Sequence, residues 1–278
     1  MSITFSMRYP GGRDRALTLS YDDGVIFDTR LIEIMKRGSL KGTFNINGGI
    51  FPEQDAIYTK PLCRMSRRQA YELYSDSGME VAIHGACHLH WSSAPAGVTA
   101  YDIVTDRAAL EEMFGTIIRG GAYPFGAVSD DARETLRLAG LAYCRTIDST
   151  ERFDLPTDWL RLSATCHHNN PRLMELAREF IEMKRTEPYP PLFYLWGHSY
   201  EFHDDDNWNV IEQFVDYVGN RENVWYATNI EIYDYVEAFR RLHISMDGRR
   251  FYNPSFTELW FVAHEKLCHI RPGETLVL

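Results

Sequence analysis

The chain is predicted to be an α/β protein with a parallel sheet covered by helices. Three observations predict this. Short apolar runs alternate with longer amphipathic ones over roughly 230 of the residues. The amphipathic runs begin and end with helix-capping residues. No internal repeat or low-complexity segment interrupts the alternation. About seven strand–helix units leave two arrangements open, a closed barrel and an open doubly wound sheet.

Taken in order, Ala16–Leu19 and Gly42–Ile46 are predicted as buried strands, being short, apolar and bounded by polar residues. Ser66 followed by Gln69 is a capping-box pattern and predicts a helix through Ala70, Leu73 and Tyr74. Glu80–His84 is the next expected strand. Ser129 opens a helix with Ala132, Leu136 and Ala139 aligned, and Gly140 is placed to end it. Ala142–Ile147 and Leu160–Cys166 follow as strands. Asn170-Pro171 predicts a helix start, with Leu173, Leu176, Ala177 and Phe180 on one face. Leu192–Trp196 and Val224–Thr228 complete seven strands. From about Ile244 the pattern changes: Asp247-Gly248 signals a turn, and Leu259–Ala263 and Thr275–Leu278 look like strands. A main domain over residues 1–243 and a small β-rich appendage over 244–278 are therefore expected.

Composition narrows the function. With 45% apolar and 24% charged residues, the chain has ordinary globular chemistry and is not expected to be disordered. No apolar run approaches the length of a membrane span. The formal charge of −10 argues against a phosphate-backbone binder, so neither nucleic acid nor membrane is an expected partner. Five cysteines at wide spacings, without a CxxC pair, suggest reduced thiols. Met1–Pro10 shows no basic segment followed by an apolar run, so a cytoplasmic location is expected. A homo-oligomer is compatible with all of this.

Three polar clusters fall just beyond predicted strands. Ser20-Tyr21-Asp22-Asp23-Gly24 follows the first; its adjacent carboxylates repel unless a positive group lies beside them. Alone, this is an ordinary Asp-Gly turn. His84-Gly85-Ala86-Cys87-His88 ends the third strand, and two imidazoles four apart share a face if the chain turns helically there. In that picture His90 is on another face, and Cys87 points away and packs. Leu195-Trp196-Gly197-His198 closes a later strand, and a lone histidine there is usually structural. Joint placement changes the balance, because loops after parallel strands open on one face, where active sites are built. One carboxylate and two histidines would leave a divalent cation with open positions, the catalytic pattern. The spare carboxylate and third histidine would then form an acid/base pair.

These residues resemble the polysaccharide deacetylases (carbohydrate esterase family 4). Ser20–Gly24 resembles the first motif, Thr-Phe-Asp-Asp-Gly, and His84–His88 the second, His-Ser/Thr-x-x-His, with Gly85 at the small position. Tyr123-Pro124-Phe125-Gly126 resembles the third, Arg-x-Pro-Tyr-Gly. Asp158-Trp159 resembles the fourth, and Leu195–His198 the fifth, Leu-x-His, with one additional residue. The resemblance implies a distorted (β/α) barrel of about seven parallel strands. It implies Asp22 as general base, Asp23, His84 and His88 as metal ligands, and His198 as general acid. It also implies an oxyanion role for the backbone amide near Tyr123 and an acetate-pocket wall at Trp159. The motif-three arginine falls on Ala122, so a cation for Asp22 must come from elsewhere; Arg145 and Arg161 are the candidates.

The expected function is a metal-dependent hydrolase that removes an acetyl group from an N-acetylated sugar. One divalent metal is expected, zinc first, with cobalt, nickel, manganese or iron as alternatives. The expected partner is a small saccharide or glycan. Rival readings are a hydrolase of another linear or cyclic amide, such as a ureide, and a non-catalytic glycan-binding domain. A non-haem iron oxygenase shares the ligand set but leaves Asp22 and His198 without a task. His167 either lines the mouth and contacts substrate or belongs to a helix-capping loop. His203–Asp206 is a solvated charge run, and Trp91, Trp196 and Trp208 are core unless they face a sugar.

Overall fold

The computed structural model describes residues 5–57, 63–184 and 188–278. Its centre is a nine-stranded sheet in which every pairing is parallel. The strands run in the order Leu162–Ala164, Tyr143–Ser149, Gly120–Ala122, Glu80–Ile83, Gly42–Ile46, Arg15–Asp22, Leu192–Gly197, Cys166–His167; Val224–Tyr226 also pairs with Arg15–Asp22. Both ends of this path lie in the stretch Leu162–His167. Within it, Thr165 N–H donates to the Tyr194 carbonyl (2.8 Å), and its Oγ1 accepts from Tyr194 N–H (3.0 Å). One short segment thus touches both edges of the sheet, which gives the α/β fold its distorted barrel form.

That segment was expected as one strand, Leu160–Cys166. It is two, because the chain changes neighbours at Thr165. A turn of 3-10 helix, Trp159–Arg161, precedes it, and a register shift interrupts pairing with Tyr143–Ser149. Gly120–Ala122 was not anticipated, since Gly-Gly-Ala carries neither branched nor aromatic strand formers. Val224–Tyr226 ends before Thr228, whose hydroxyl caps the helix Asn229–Arg240 in a capping box with Glu231.

Helices Asp28–Arg37, Arg67–Tyr74, Ala96–Phe114, Asp130–Leu138, Leu173–Glu182 and Asn209–Val218 also flank the sheet. Ser66 and Ser129 cap their helices through Gln69 N–H and Ala132 N–H. Asn170 instead stabilises the preceding turn, accepting from Arg172 N–H (2.8 Å), so that helix starts at Leu173. The core joins sheet and helix residues such as Leu19, Phe44, Ile83, Phe193 and Phe214, all essentially without solvent exposure.

Beyond residue 243 the chain forms antiparallel strands, and these recruit the first described strand. Phe5–Arg8 pairs with Leu259–Ala263, which pairs with Lys266–Ile270. A division at 243/244 therefore cuts through a sheet. Phe5 packs on Phe239, Phe251 and Phe261, with ring centroids 5.5, 5.9 and 5.4 Å apart. Among the described residues, no helix is long and apolar enough to cross a membrane.

Candidate active site

Asp22 is the last residue of its strand, His84 follows Ile83, His167 ends Cys166–His167, and His198 follows Gly197. All four therefore lie at carboxyl ends of parallel strands, on one face of the barrel. Asp22 is buried. Its Oδ1 accepts from Asn45 Nδ2 (2.9 Å), the residue beside it in register, and its Oδ2 pairs with the Arg145 guanidinium. Arg145 lies directly opposite Ala122 on the neighbouring strand. The cation missing at Ala122 is thus supplied one strand over, while Arg161 is exposed at the far end of its strand. Burial alone would raise the Asp22 carboxyl; Arg145, then His84 and His198, outweigh it and hold the group at about 2.

Asp23 has its own guanidinium. Arg64 Nη2 donates to Asp23 Oδ1 (2.7 Å) and Nη1 to the Asp23 carbonyl (2.7 Å). Two adjacent carboxylates are tolerated here because each faces a separate arginine.

His84 Nδ1 lies 2.9 Å from the Ala122 carbonyl. A carbonyl only accepts, so Nδ1 carries the proton and Nε2 presents a lone pair. His84 Nε2 lies 3.2 Å from His88 Nε2, which lies 3.6 Å from Asp23 Oδ1. One donor atom from each of Asp23, His84 and His88 falls within 4.8 Å of the others. Basic nitrogens this close repel unless a cation or proton sits between them. Burial, then His84, pushes the His88 imidazole down to about 4, so a proton is disfavoured there. The donor set therefore fits a divalent metal.

The segment His84–His88 is not helical. Gly85 and His88 have φ of 76° and 54°, and a Cβ on Gly85 would lie 2.5 Å from Asp102 Oδ2. The turn wraps buried Asp102, which accepts from Cys87 N–H (2.8 Å) and Trp91 Nε1 (2.8 Å). Cys87 is consequently exposed rather than packed, and Trp91 is core. His90 is not one of the three converging donors; it stacks on Phe125, whose other neighbour is His88.

His198 Nε2 is 3.9 Å from Asp22 Oδ2, and its Nδ1 is 3.2 Å from Glu201 Oε1. Glu201 Oε2 is also 2.9 Å from His168 Nε2 and 3.2 Å from His167 Nε2. Donor atoms of His167, His198 and Glu201 are close enough to hold an ion, but the protons oppose it. Asn169 N–H donates to His167 Nδ1 (3.1 Å), so His167 Nε2 carries the hydrogen and offers no lone pair to an ion. His198 Nδ1 meets Glu201 Oε1 in hydrogen-bond geometry, while His167 and His168 crowd Oε2 at ion-pair distance. Burial opposes ionisation of Glu201, but the three imidazoles prevail and hold it well below the usual carboxylate range. His198 is shifted the opposite way, upward: burial disfavours its charge, and Glu201 and Asp22 more than compensate. His168 fits only because residue 197 is glycine; a Cβ there would lie 2.0 Å from its ring.

Two expected residues differ from their assignments. The Tyr123 amide donates to the Arg145 carbonyl (2.9 Å) as part of strand pairing, so it is not free for an oxyanion. Further along that turn, Phe125 has φ of 58° and packs edge-to-face with His88, ring centroids 4.5 Å apart. Trp159 sits at the amino end of its strand, opposite the mouth, where Nε1 donates to Glu237 Oε1 (2.8 Å). Trp196 is the tryptophan beside the cluster, with Arg145 4.4 Å over its ring and His167 4.5 Å from it edge-on. Arg64, Asn45, Asn47, Asp102, His168 and Glu201 had no assigned role in the sequence. Only Glu201 left a signal there, three residues after His198 at a helix start.

Residues 10–144 match the polysaccharide deacetylase family. No curated protein matches the chain. Among solved structures, a Mycobacterium smegmatis protein assigned as a polysaccharide deacetylase is 16% identical, with 84% of this chain and 94% of that one covered at TM-score 0.58. A Streptomyces lividans family 4 carbohydrate esterase in complex with acetate is 14% identical, covering 77% and 93% at TM-score 0.50. The Streptococcus pyogenes deacetylase PplD is 19% identical, and the match covers 52% of this chain and 61% of that one at TM-score 0.46. At these identities the first two likenesses establish the fold alone.

Proposed function

We propose that this chain, which belongs to the polysaccharide deacetylase family through residues 10–144, is a metal-dependent hydrolase that removes an acetyl group from an N-acetylated sugar. The observation that carries this is the meeting of Asp22, Asp23, His84, His88 and His198 at one mouth, with the lone pair of His84 Nε2 fixed toward Asp23 and His88. Asp23, His84 and His88 would hold a divalent cation, zinc first, which when bound supplies Lewis acidity and a more acidic water.

Asp22 then accepts the proton of the attacking water. Arg145 keeps it ionised well below neutral pH, and Asn45 holds its other oxygen, so it is oriented as well as charged. His198, kept protonated by Glu201 through Nδ1, donates from Nε2 to the departing nitrogen, because an amine anion is a very poor leaving group. The Phe125 amide, rather than that of Tyr123, is the neighbouring backbone donor for the developing oxyanion. His167, half-buried and fixed by Glu201, lines the mouth beside Trp196 and contacts the saccharide.

Acetate release from chitooligosaccharides by the zinc-loaded chain tests the reading, with cyclic ureides as the comparison arm. Asp22→Asn should retain about one equivalent of zinc yet lose roughly 100-fold or more in kcat. Hydrolysis of ureides alone would replace the substrate, and full activity of Asp22→Asn would remove Asp22 as base.

A further inference from the structure

The triad comes from two loops, and a pair of side chains outside it ties those loops together. Asp23 follows the strand Arg15–Asp22 at φ 82°, a conformation rare for a residue with a side chain. His84 and His88 belong to the turn after Glu80–Ile83. Arg64, bridged to Val25 by backbone pairing, grips Asp23 at both its carboxylate and its carbonyl, each at 2.7 Å. The same guanidinium reaches Asn47 Oδ1. Asn47 is buried, and its Nδ2 donates to the carbonyls of His84 and Gly85, both at 2.7 Å. The contacts run without a break from one ligand-bearing loop to the other.

We infer that Arg64 and Asn47 form a positioning brace that sets how tightly Asp23, His84 and His88 hold their cation. This rests on the triad being a metal site. Ligand atoms must meet at about 2 Å from a common centre. Asp23 stands in a strained backbone state that persists only where its surroundings over-determine it. Arg64 supplies that constraint by holding two Asp23 oxygens at once. Its charge offsets that of buried Asp23 but does not help hold the metal, since a guanidinium beside a ligating carboxylate repels the bound cation. Asn47 carries no charge at all, so whatever it contributes is geometric.

The experiment uses the full chain stripped of metal. Zinc dissociation constants are measured by competition with a chromogenic chelator for wild type, Asn47→Ala, Arg64→Lys and the double variant, with circular dichroism and metal-free melting temperature as fold controls. Each single substitution should weaken zinc binding roughly 10–100-fold. The double variant should be within about 3-fold of the weaker single, because one connection is being cut twice. Failure of wild type to bind zinc would remove the metal reading itself. Wild-type binding with unchanged affinity in the folded variants would overturn the brace, even if their melting temperatures fell. Losses that multiply in the double variant would also overturn it. If Asn47→Ala does not fold, Arg64→Lys alone decides.

Discussion

Asp22 is an unfavourable residue to bury, and Arg145 is what makes it usable. The sequence made the need legible: two adjacent aspartates required positive charge, and Ala122 stood where an arginine was expected. It could not choose between Arg145 and Arg161, because that choice depends on register. Arg145 lies opposite Ala122 in the sheet, whereas Arg161 precedes its strand and points to solvent. Arg145→Met should leave the burial that raises Asp22 and remove the charge that lowers it. The carboxyl would then stay protonated to higher pH. The acidic limb of kcat/KM should move up by about one pH unit or more, with zinc content unchanged. A pH–rate profile that superimposes on wild type would remove Arg145 from this role.

At the scale of elements, the loops bearing Asp23, His84 and His88 follow the expected strands but differ from the expected shape. Four-residue spacing suggested a helical turn from His84 to His88, but the chain reverses through two left-handed residues around Asp102. Spacing is blind to such a turn, since both shapes bring residues four apart together. The shape matters for tolerance. Gly85→Ala would place a methyl 2.5 Å from the Asp102 carboxylate in a conformation that alanine resists. It should destabilise the protein by about 1–3 kcal/mol and weaken zinc binding; melting curves with and without zinc would measure both. A helical turn would have predicted a neutral or stabilising change. The split of Leu160–Cys166 has a similar origin, since an apolar run reports burial and not which neighbour each half will find.

At the scale of the whole molecule, buried carboxyls tie elements together at a cost that depends on pH. Asp28, fully buried, accepts from Tyr74 OH (2.6 Å) and Ser199 Oγ, joining three helical segments. Burial pushes it up to about 7 despite those hydrogen bonds. The folded chain therefore keeps a proton that the unfolded chain releases near pH 4. Its stabilising contribution is complete at and below about pH 4 and declines as pH rises to about 7. Asp28→Asn should flatten the fall in melting temperature between pH 4 and 7. Burial also raises Glu80 to about 7 and Asp106 to about 8, so some slope should persist. Parallel curves for wild type and Asp28→Asn would show that Asp28 does not contribute.

The pairing of Phe5–Arg8 with Leu259–Ala263 also sets an order of events during synthesis. On the ribosome, Phe5 and Met7 have no edge to join until more than two hundred further residues have been translated. The parallel strands can assemble in the meantime, so this antiparallel pairing forms late, and a stalled chain would carry its early aromatic strand bare.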